Sequence, residues 1–413
     1  MANLHSKPNL TEHRALLVYL AVLVAMGPLS IDMYVPAMPA IQRALATSVS
    51  SVHLTMSAFL TGFAVFHLIC GPLADRFGRI PVLSIGTGLF FVASLGCALA
   101  ESIESLMVCR FAQGVGACVG PTLGRAMTRD LFGPKDAAKA LSLIAMIMAL
   151  APAIAPGLGG VMLNYAPWPS IFLFLAAYGV LVLWIIRSKL VETLPIAQSL
   201  RPINIARNYG KLLSNRSYLG VATGSALAYS GMMAYLASSG FIFINMLGVP
   251  VEYFGLVFIT IVLGYMGGSA LSARAANTRT PSTILRFGIC LALIASLAML
   301  ALQVLFPESS FALMIPMSFY AIAMGLSLPN ATALALEPFP TMAATASSLF
   351  GFLQMGLAAV VTGFVGPFVE QSPRPLLWAL VCVNGLALTF VFAATSWRSK
   401  STAESTVERK QLL

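Results

Sequence analysis

The sequence predicts an all-α integral membrane protein: twelve transmembrane helices in two six-helix bundles, with the N and C termini cytoplasmic. Three observations carry this prediction. First, 58% of the 413 residues are apolar, only 9% are charged and the mean hydropathy is +0.88; a soluble domain has about 25% charged and about 45–50% apolar residues. Second, apolar windows bounded by charged or turn residues recur along the whole chain. Third, lysine and arginine fall almost entirely in alternate loops. Twelve spans of about 20 residues use about 240 residues, which leaves short loops, one longer connection and no room for a large soluble domain.

The windows lie near 15–36, 52–73, 81–100, 103–127, 138–163, 168–187, 217–243, 252–273, 283–306, 311–336, 344–368 and 375–396. The first follows Lys7 and Arg14 in the manner of a signal peptide, but its apolar stretch is too long and carries Asp32, so it is read as a span. With both termini inside, the inner segments hold 21 of the 24 Lys and Arg, Arg125 and Arg129 among them. The outer loops hold Arg43 and Arg374, and Arg110 lies within a helix. This asymmetry sets the orientation. Residues 1–187 then form the first bundle, 188–216 a basic cytoplasmic linker, 217–396 the second bundle and 397–413 a disordered tail rich in Ser, Thr, Lys and Glu.

The net charge of +10 does not indicate nucleic acid, because the basic residues are scattered between apolar runs and not gathered on one face. Cys70, Cys97, Cys109, Cys118, Cys290 and Cys382 form no CxxC and no pair within one loop, so neither a disulfide framework nor a metal site is expected. No Walker loop is present, and enzymatic or ATP-driven chemistry has no visible basis.

Two charges stand inside apolar helices, Asp32 in the first and Arg110 in the fourth. Each costs about 2.5–3.5 kcal/mol at a helix centre, so neither faces lipid alone. Counting residues from the loops puts them at comparable depth, where they can meet. One reading is a structural ion pair; the other is a carboxylate that binds and releases a proton as water access changes. The remaining acids, including Asp75, Asp130, Asp136, Glu192 and Glu337, fall at helix ends or in loops. His67 either hydrogen-bonds a neighbouring helix or is a second proton carrier. Gln113, Asn330 and Gln354 line a cavity or bridge helices. Tyr229, Met232, Met233, Tyr235 and Phe241 give the seventh span an adaptable Met-rich aromatic surface, and Tyr34 is a further cavity candidate. With one intramembrane carboxylate and a nearby arginine, neutral or zwitterionic substrates are accommodated more easily than dications.

Between the second and third windows stands Gly71-Pro72-Leu73-Ala74-Asp75-Arg76-Phe77-Gly78-Arg79. Gly71 and Gly78 permit a tight turn and close helix approach, Asp75 can cap a helix N-terminus, and Arg76 and Arg79 anchor the loop to the membrane face. The run resembles the signature loop of the major facilitator superfamily, which implies a latch between the two bundles. Leu106, Arg110, Gln113, Gly114 and Gly116 resemble a second motif of that family, whose arginine is implicated in proton coupling. In the fifth window Ala151, Ala155, Pro156, Gly159 and Gly160 resemble its antiporter motif, with alanine in place of the first two glycines; small residues four apart also provide ordinary helix packing. Ser30-Ile31-Asp32-Met33-Tyr34-Val35-Pro36, Glu192-Thr193-Leu194-Pro195 and Ala344-Thr345-Ala346-Ser347-Ser348-Leu349 are similar to the Bcr/CflA branch of twelve-span drug:proton antiporters, named for bicyclomycin and chloramphenicol resistance.

This resemblance implies a monomer of the bacterial cytoplasmic (inner) membrane that uses the proton gradient, with no cofactor, to export a small molecule. The cargo is an antibiotic or one of the cell's own products, such as a siderophore. A proton-coupled importer is the nearest alternative, because folding does not encode direction. A channel or a receptor would show ring-forming repeats or a signalling domain, and neither is visible. Two departures from the branch stand out. Tyr19 to Gly27 holds no second acid, and Ser272 to Ser282 has lost any repeat of the signature loop.

Overall fold

The computed structural model describes residues 10–194, 202–339, 342–370 and 372–411. Lys7 and Arg201 of the expected inner cations lie outside these, as do the side chains of Arg14, Lys135, Lys139, Ala151 and Ala344. The described residues form helices throughout. The first half comprises α1 (Leu10–Asp32), α2 (Met38–Ala44), α3 (Val49–Phe77), α4 (Arg79–Ala98), α5 (Ile103–Ala117), α6 (Val119–Tyr165) and α7 (Pro169–Lys189). A linker helix α8 (Pro202–Ser214) leads to α9 (Arg216–Ser239), α10 (Phe254–Ala275), α11 (Pro281–Leu305), α12 (Phe311–Leu336), α13 (Ala343–Val369) and α14 (Arg374–Gln411).

Eleven segments among the described residues are long and apolar enough to cross a membrane. Their apolar side chains do not all turn inward. Ile85, Val108, Leu263, Phe287 and Phe364 are each more than 60% exposed, as a surface solvated by lipid tails requires. The seventh span is the exception: 83% of its apolar window is buried, against 39% for α11 and α14. It therefore runs through the centre of the molecule. Packing between the halves is most extensive where α3 meets α13.

Three departures from the expected windows have identifiable causes. The first span does not run unbroken to residue 36: α1 stops at Asp32 and a 3-10 turn, Val35–Ala37, precedes α2. Pro36 has no N–H for the Asp32 carbonyl four residues back, and its ring crowds that carbonyl. The fourth window is interrupted at Cys118 between α5 and α6, and Pro121 stands in the same relation to Ala117. The third departure is the length of α6, in which the fourth and fifth windows run together. Gly124 packs against Val24 and Gly159 against Met33. Those anchors are about 14 Å apart along α1, whereas 35 residues of straight helix would cover about 52 Å. The chain must therefore fold back between Gly124 and Gly159, giving two crossings.

The linker helix is tied to the second span by the Tyr209 hydroxyl, which donates to the Leu68 carbonyl at 2.8 Å. At the other end of the chain, α14 continues beyond its apolar stretch Arg374–Ser396. The side chains from Trp397 onward, which the sequence assigns to a disordered tail, lie outside the described residues.

Glycine sets the closest helix crossings. A methyl group on Gly114 would sit 2.0 Å from the Phe59 carbonyl oxygen, and one on Gly62 2.2 Å from that of Phe111, so α3 and α5 touch backbone to backbone. Gly88 meets nothing within 4 Å. Gly114→Val is expected to lower stability by about 1–3 kcal/mol through overpacking, read as thermal unfolding in detergent. Gly88→Ala should leave stability unchanged or slightly raised; equal effects at the two positions would contradict this packing.

Candidate functional site

Arg110, on α5, is fully buried. Its guanidinium carbon lies 4.3 Å from the ring centroids of both Tyr34 and Phe59 and 5.9 Å from that of Phe172. One terminal nitrogen donates to Gln113 Oε1 at 2.6 Å and to the Ser30 carbonyl at 3.3 Å, and the other approaches Met56 Sδ at 3.7 Å. Nε has no partner. The cage is itself braced: the Tyr34 hydroxyl is hydrogen-bonded to Thr55, and Gln113 Nε2 donates to Ser94 Oγ at 2.9 Å. A desolvated cation over an aromatic face gains about 2 kcal/mol or more, so two close faces and two oxygen acceptors stand in for a counter-ion.

Asp32 lies two residues beyond the carbonyl that Arg110 reaches. No ion pair joins Asp32 to Arg110, whereas Arg79 pairs with Asp75 and with Asp130. Asp32 is 4% exposed and makes no hydrogen bond or ion pair among the described residues. It sits at the broken end of α1 and interacts electrostatically with Tyr229 of the seventh span. The seventh span is broken as well, into a π turn at Gly240–Met246. There Gly240 packs against the Val35 carbonyl, where an added methyl would lie 2.5 Å away. The two irregular segments thus meet across the halves.

The cavity candidates divide. Tyr229 and Met232 are partly open, and Gln354 is half-buried. Tyr34 and Gln113 belong to the Arg110 cage and are sealed. Met233 is buried, and so is Tyr235, whose hydroxyl has no partner. Asn330 bridges helices, donating to Ser272 Oγ and to the Leu326 carbonyl, both at 2.7 Å. His67 is hydrogen-bonded to a neighbouring helix: Nδ1 lies 3.5 Å from Cys118 Sγ, and the ring rests against Gly351 of α13.

At the end remote from the signature loop, small residues interlock the halves. A methyl on Gly160 would lie 2.4 Å from the Val251 carbonyl oxygen, one on Gly255 2.7 Å from Gly157 Cα, and one on Gly159 2.7 Å from the Met33 carbonyl oxygen within the first half. Pro156, beside them, is buried. His53, which sequence reasoning passed over, is fully buried in the same region. It stacks on Phe241 at 5.4 Å and abuts Gly366, and neither ring nitrogen has a partner.

The signature loop meets the second half and is fastened within the first. Gly71 faces Ser348 Oγ of α13 across the halves, and Arg76 is exposed. Among the described residues, the ion pairs of Arg79 stay within the first half, and Glu192 at the start of the linker reaches back to it. Arg79 bridges Asp75 at 2.6 Å and Asp130 at 3.4 Å. The Glu192 carboxylate accepts from the backbone N–H groups of Arg79, Ile80, Thr193 and Leu194 at 2.9–3.0 Å. Gly78 has φ +98°, and an added methyl would lie 2.6 Å from Glu192 Oε2. Glu192 therefore caps the N-terminus of α4 from the end of the sixth span, 113 residues away. Partial burial pushes its carboxyl up, but the four backbone donors outweigh that and hold it below its ordinary value of 4.5.

This is the architecture of a secondary transporter: two halves joined by a linker, with broken helices meeting at their interface. The sequence matches the Major Facilitator Superfamily over residues 20–363, and the chain belongs to that family. It is 34% identical over 390 residues to the uncharacterized MFS-type transporter YdgK of Bacillus subtilis (strain 168), covering 93% of this chain and 96% of the relative. It is 27% identical to the bicyclomycin resistance protein homolog of Haemophilus influenzae (90% and 94% covered) and 28% identical to multidrug resistance protein D of Escherichia coli (strain K12; 93% and 96%). These relatives agree with the resemblance to the Bcr/CflA branch. Among solved structures, the fold is similar to a D-xylose–proton symporter, with TM-score 0.71 and 15% identity (91% and 97% covered). A bacterial homologue of the human lysosomal transporter Spinster, inward-facing and occupied, gives TM-score 0.70 and 16% identity (94% and 98%). The protein is a multi-pass transporter of the bacterial inner membrane.

The cap carries a testable sign. Because the donors hold the ionised form, the contribution of Glu192 is complete above pH 4.5 and is lost as the pH falls through its lowered value. Glu192→Gln is expected to cost about 1 kcal/mol at pH 7 and progressively less as the pH falls below 4.5 through the lowered value, measured by thermal unfolding. A pH-independent difference would contradict the cap.

Proposed function

We propose that this transporter exports small molecules in exchange for protons, as a drug efflux pump or as the dedicated exporter of a metabolite such as a siderophore. The observation that carries the reading is Asp32. It is a lone carboxylate at a helix break, at the interface of the halves, and no cation among the described residues pairs with it. Such a group exchanges its proton when water reaches it and can exchange it for cargo. Arg110 acts beside it by fixing the backbone at Ser30 and the ring of Tyr34. Small-residue packing at Pro156, Gly159 and Gly160 seals the far end, while the signature loop and the linker control the other, which the arginine and lysine distribution places in the cytoplasm. The protein works as a monomer and needs no cofactor.

The energetics close. Export against a hundredfold gradient requires about 2.7 kcal/mol, and one proton entering across roughly 150 mV releases about 3.5 kcal/mol. One carboxylate therefore suffices.

In proteoliposomes loaded with a pH dye, bicyclomycin should drive proton movement through the wild type and none through Asp32→Asn, while binding of bicyclomycin persists. Asp32→Asn retaining proton-coupled export would overturn the assignment. Direction is read in intact cells. Export predicts that an uncoupler raises the cell-associated bicyclomycin, and a fall would indicate import.

A further inference from the structure

Arg125 was counted with the loop cations by its place in the sequence, but its neighbours put it elsewhere. The adjacent Gly124 packs against Val24 and the Leu20 carbonyl, in the middle of the first span. That register is eight residues, or about 12 Å, inward of Asp32. The groups that act on Arg125 electrostatically are Cys118 of its own crossing, Tyr229 of the seventh span, Tyr265 of the eighth, and Arg129 one turn further along. Arg125 is thus inside the molecule, between the halves. Yet its side chain is exposed, and it forms no hydrogen bond or ion pair among the described residues.

A guanidinium at mid-membrane depth without a partner differs from Arg110 in every respect that matters. Arg110 is enclosed by rings and carbonyls and has no room for a ligand. Arg125 is exposed and carries five N–H donors, with Tyr229, Tyr265 and a second cation, Arg129, within its electrostatic reach. That combination suits an anionic oxygen group, which a guanidinium holds by charge-assisted and often bidentate hydrogen bonds. Tyr229 is within electrostatic reach of both Asp32 and Arg125.

We propose that Arg125, with Tyr229 and Tyr265, is the subsite for a carboxylate or equivalent anionic group of a cargo, and that zwitterions are among the cargoes. The second half of this rests on the proton-exchange reading above. A purely anionic cargo would favour protonated Asp32 and would bind together with the proton instead of displacing it. A cargo bearing a separate cationic group can replace the proton at Asp32 while its anionic group rests on Arg125.

The test is equilibrium binding to purified full-length protein in detergent at pH 7.5, with glycylphenylalanine and its C-terminal amide as probes. The two differ only in the carboxylate. The wild type is expected to bind the zwitterion at least about tenfold more tightly than the amide. Arg125→Gln should erase that preference, and Arg125→Lys should keep part of it, with all three proteins monodisperse on size exclusion. Equal binding of the two probes by the wild type, no saturable binding of the zwitterion, or a preference that survives in Arg125→Gln would each overturn the subsite. Binding needs no gradient, so the two readings fail separately. A protein that prefers the zwitterion but moves no proton keeps the subsite and loses exchange. Lost preference beside intact Asp32-dependent proton movement with bicyclomycin does the reverse.

Discussion

A buried guanidinium in a membrane must be neutralised or surrounded by oriented dipoles, and the way Arg110 meets this constraint decides what Asp32 is free to do. The rings of Tyr34, Phe59 and Phe172, the side-chain oxygen of Gln113 and the carbonyl of Ser30 satisfy most of its needs. A salt bridge to Asp32 would have been the simpler solution, since Arg110 already reaches the carbonyl two residues before it. It would also have locked the carboxylate in its ionised form, because separating a buried ion pair leaves an uncompensated charge costing several kcal/mol. The aromatic cage holds the cation without taking the acid, so structural and exchangeable charges are assigned to different residues.

The helix breaks follow from the same economy of partners. Pro36 ends α1 at Asp32 and frees backbone carbonyls at the place where a proton or a cargo group would need them. The π turn at Gly240–Met246 does the same on the seventh span, and Gly240 lets it approach the 3-10 turn of the first. Irregular backbone is tolerated at membrane depth only where protein or water covers it. These two segments cover one another across the halves. Close by, the ring nitrogens of His53 and the hydroxyls of Ser57, Ser238 and Thr362 are buried without partners. Groups of this kind gain hydrogen bonds when their surroundings open to water, so the sealed interface is held against a standing polar demand.

Much of the fold was legible in the sequence, because lipid requires long apolar helices and charge asymmetry marks their ends. Proline and glycine were legible in kind: Pro36 and Pro121 sit four residues after the points where helices stop. The Arg110 cage was not legible, since its three rings come from spans far apart in the chain and look like any other aromatic residues in apolar runs. Arg125 was hidden for a different reason. A count of cations along the chain cannot tell a residue at a membrane face from one a turn or two deeper, and only the packing of Gly124 on Val24 fixes its depth. The role of Glu192 was half legible: its motif was visible, but its partners at Arg79 and Ile80 are separated from it by four spans.

The central claim is that Asp32 changes its protonation while Arg110 does not. Infrared difference spectroscopy of the protein in lipid, titrated with acid and base without cargo, reads it directly. The account predicts a protonated-carboxyl band that appears and disappears during the titration in the wild type and is absent from Asp32→Asn. A carboxylate that stays ionised throughout, or a band unchanged by the substitution, would contradict it.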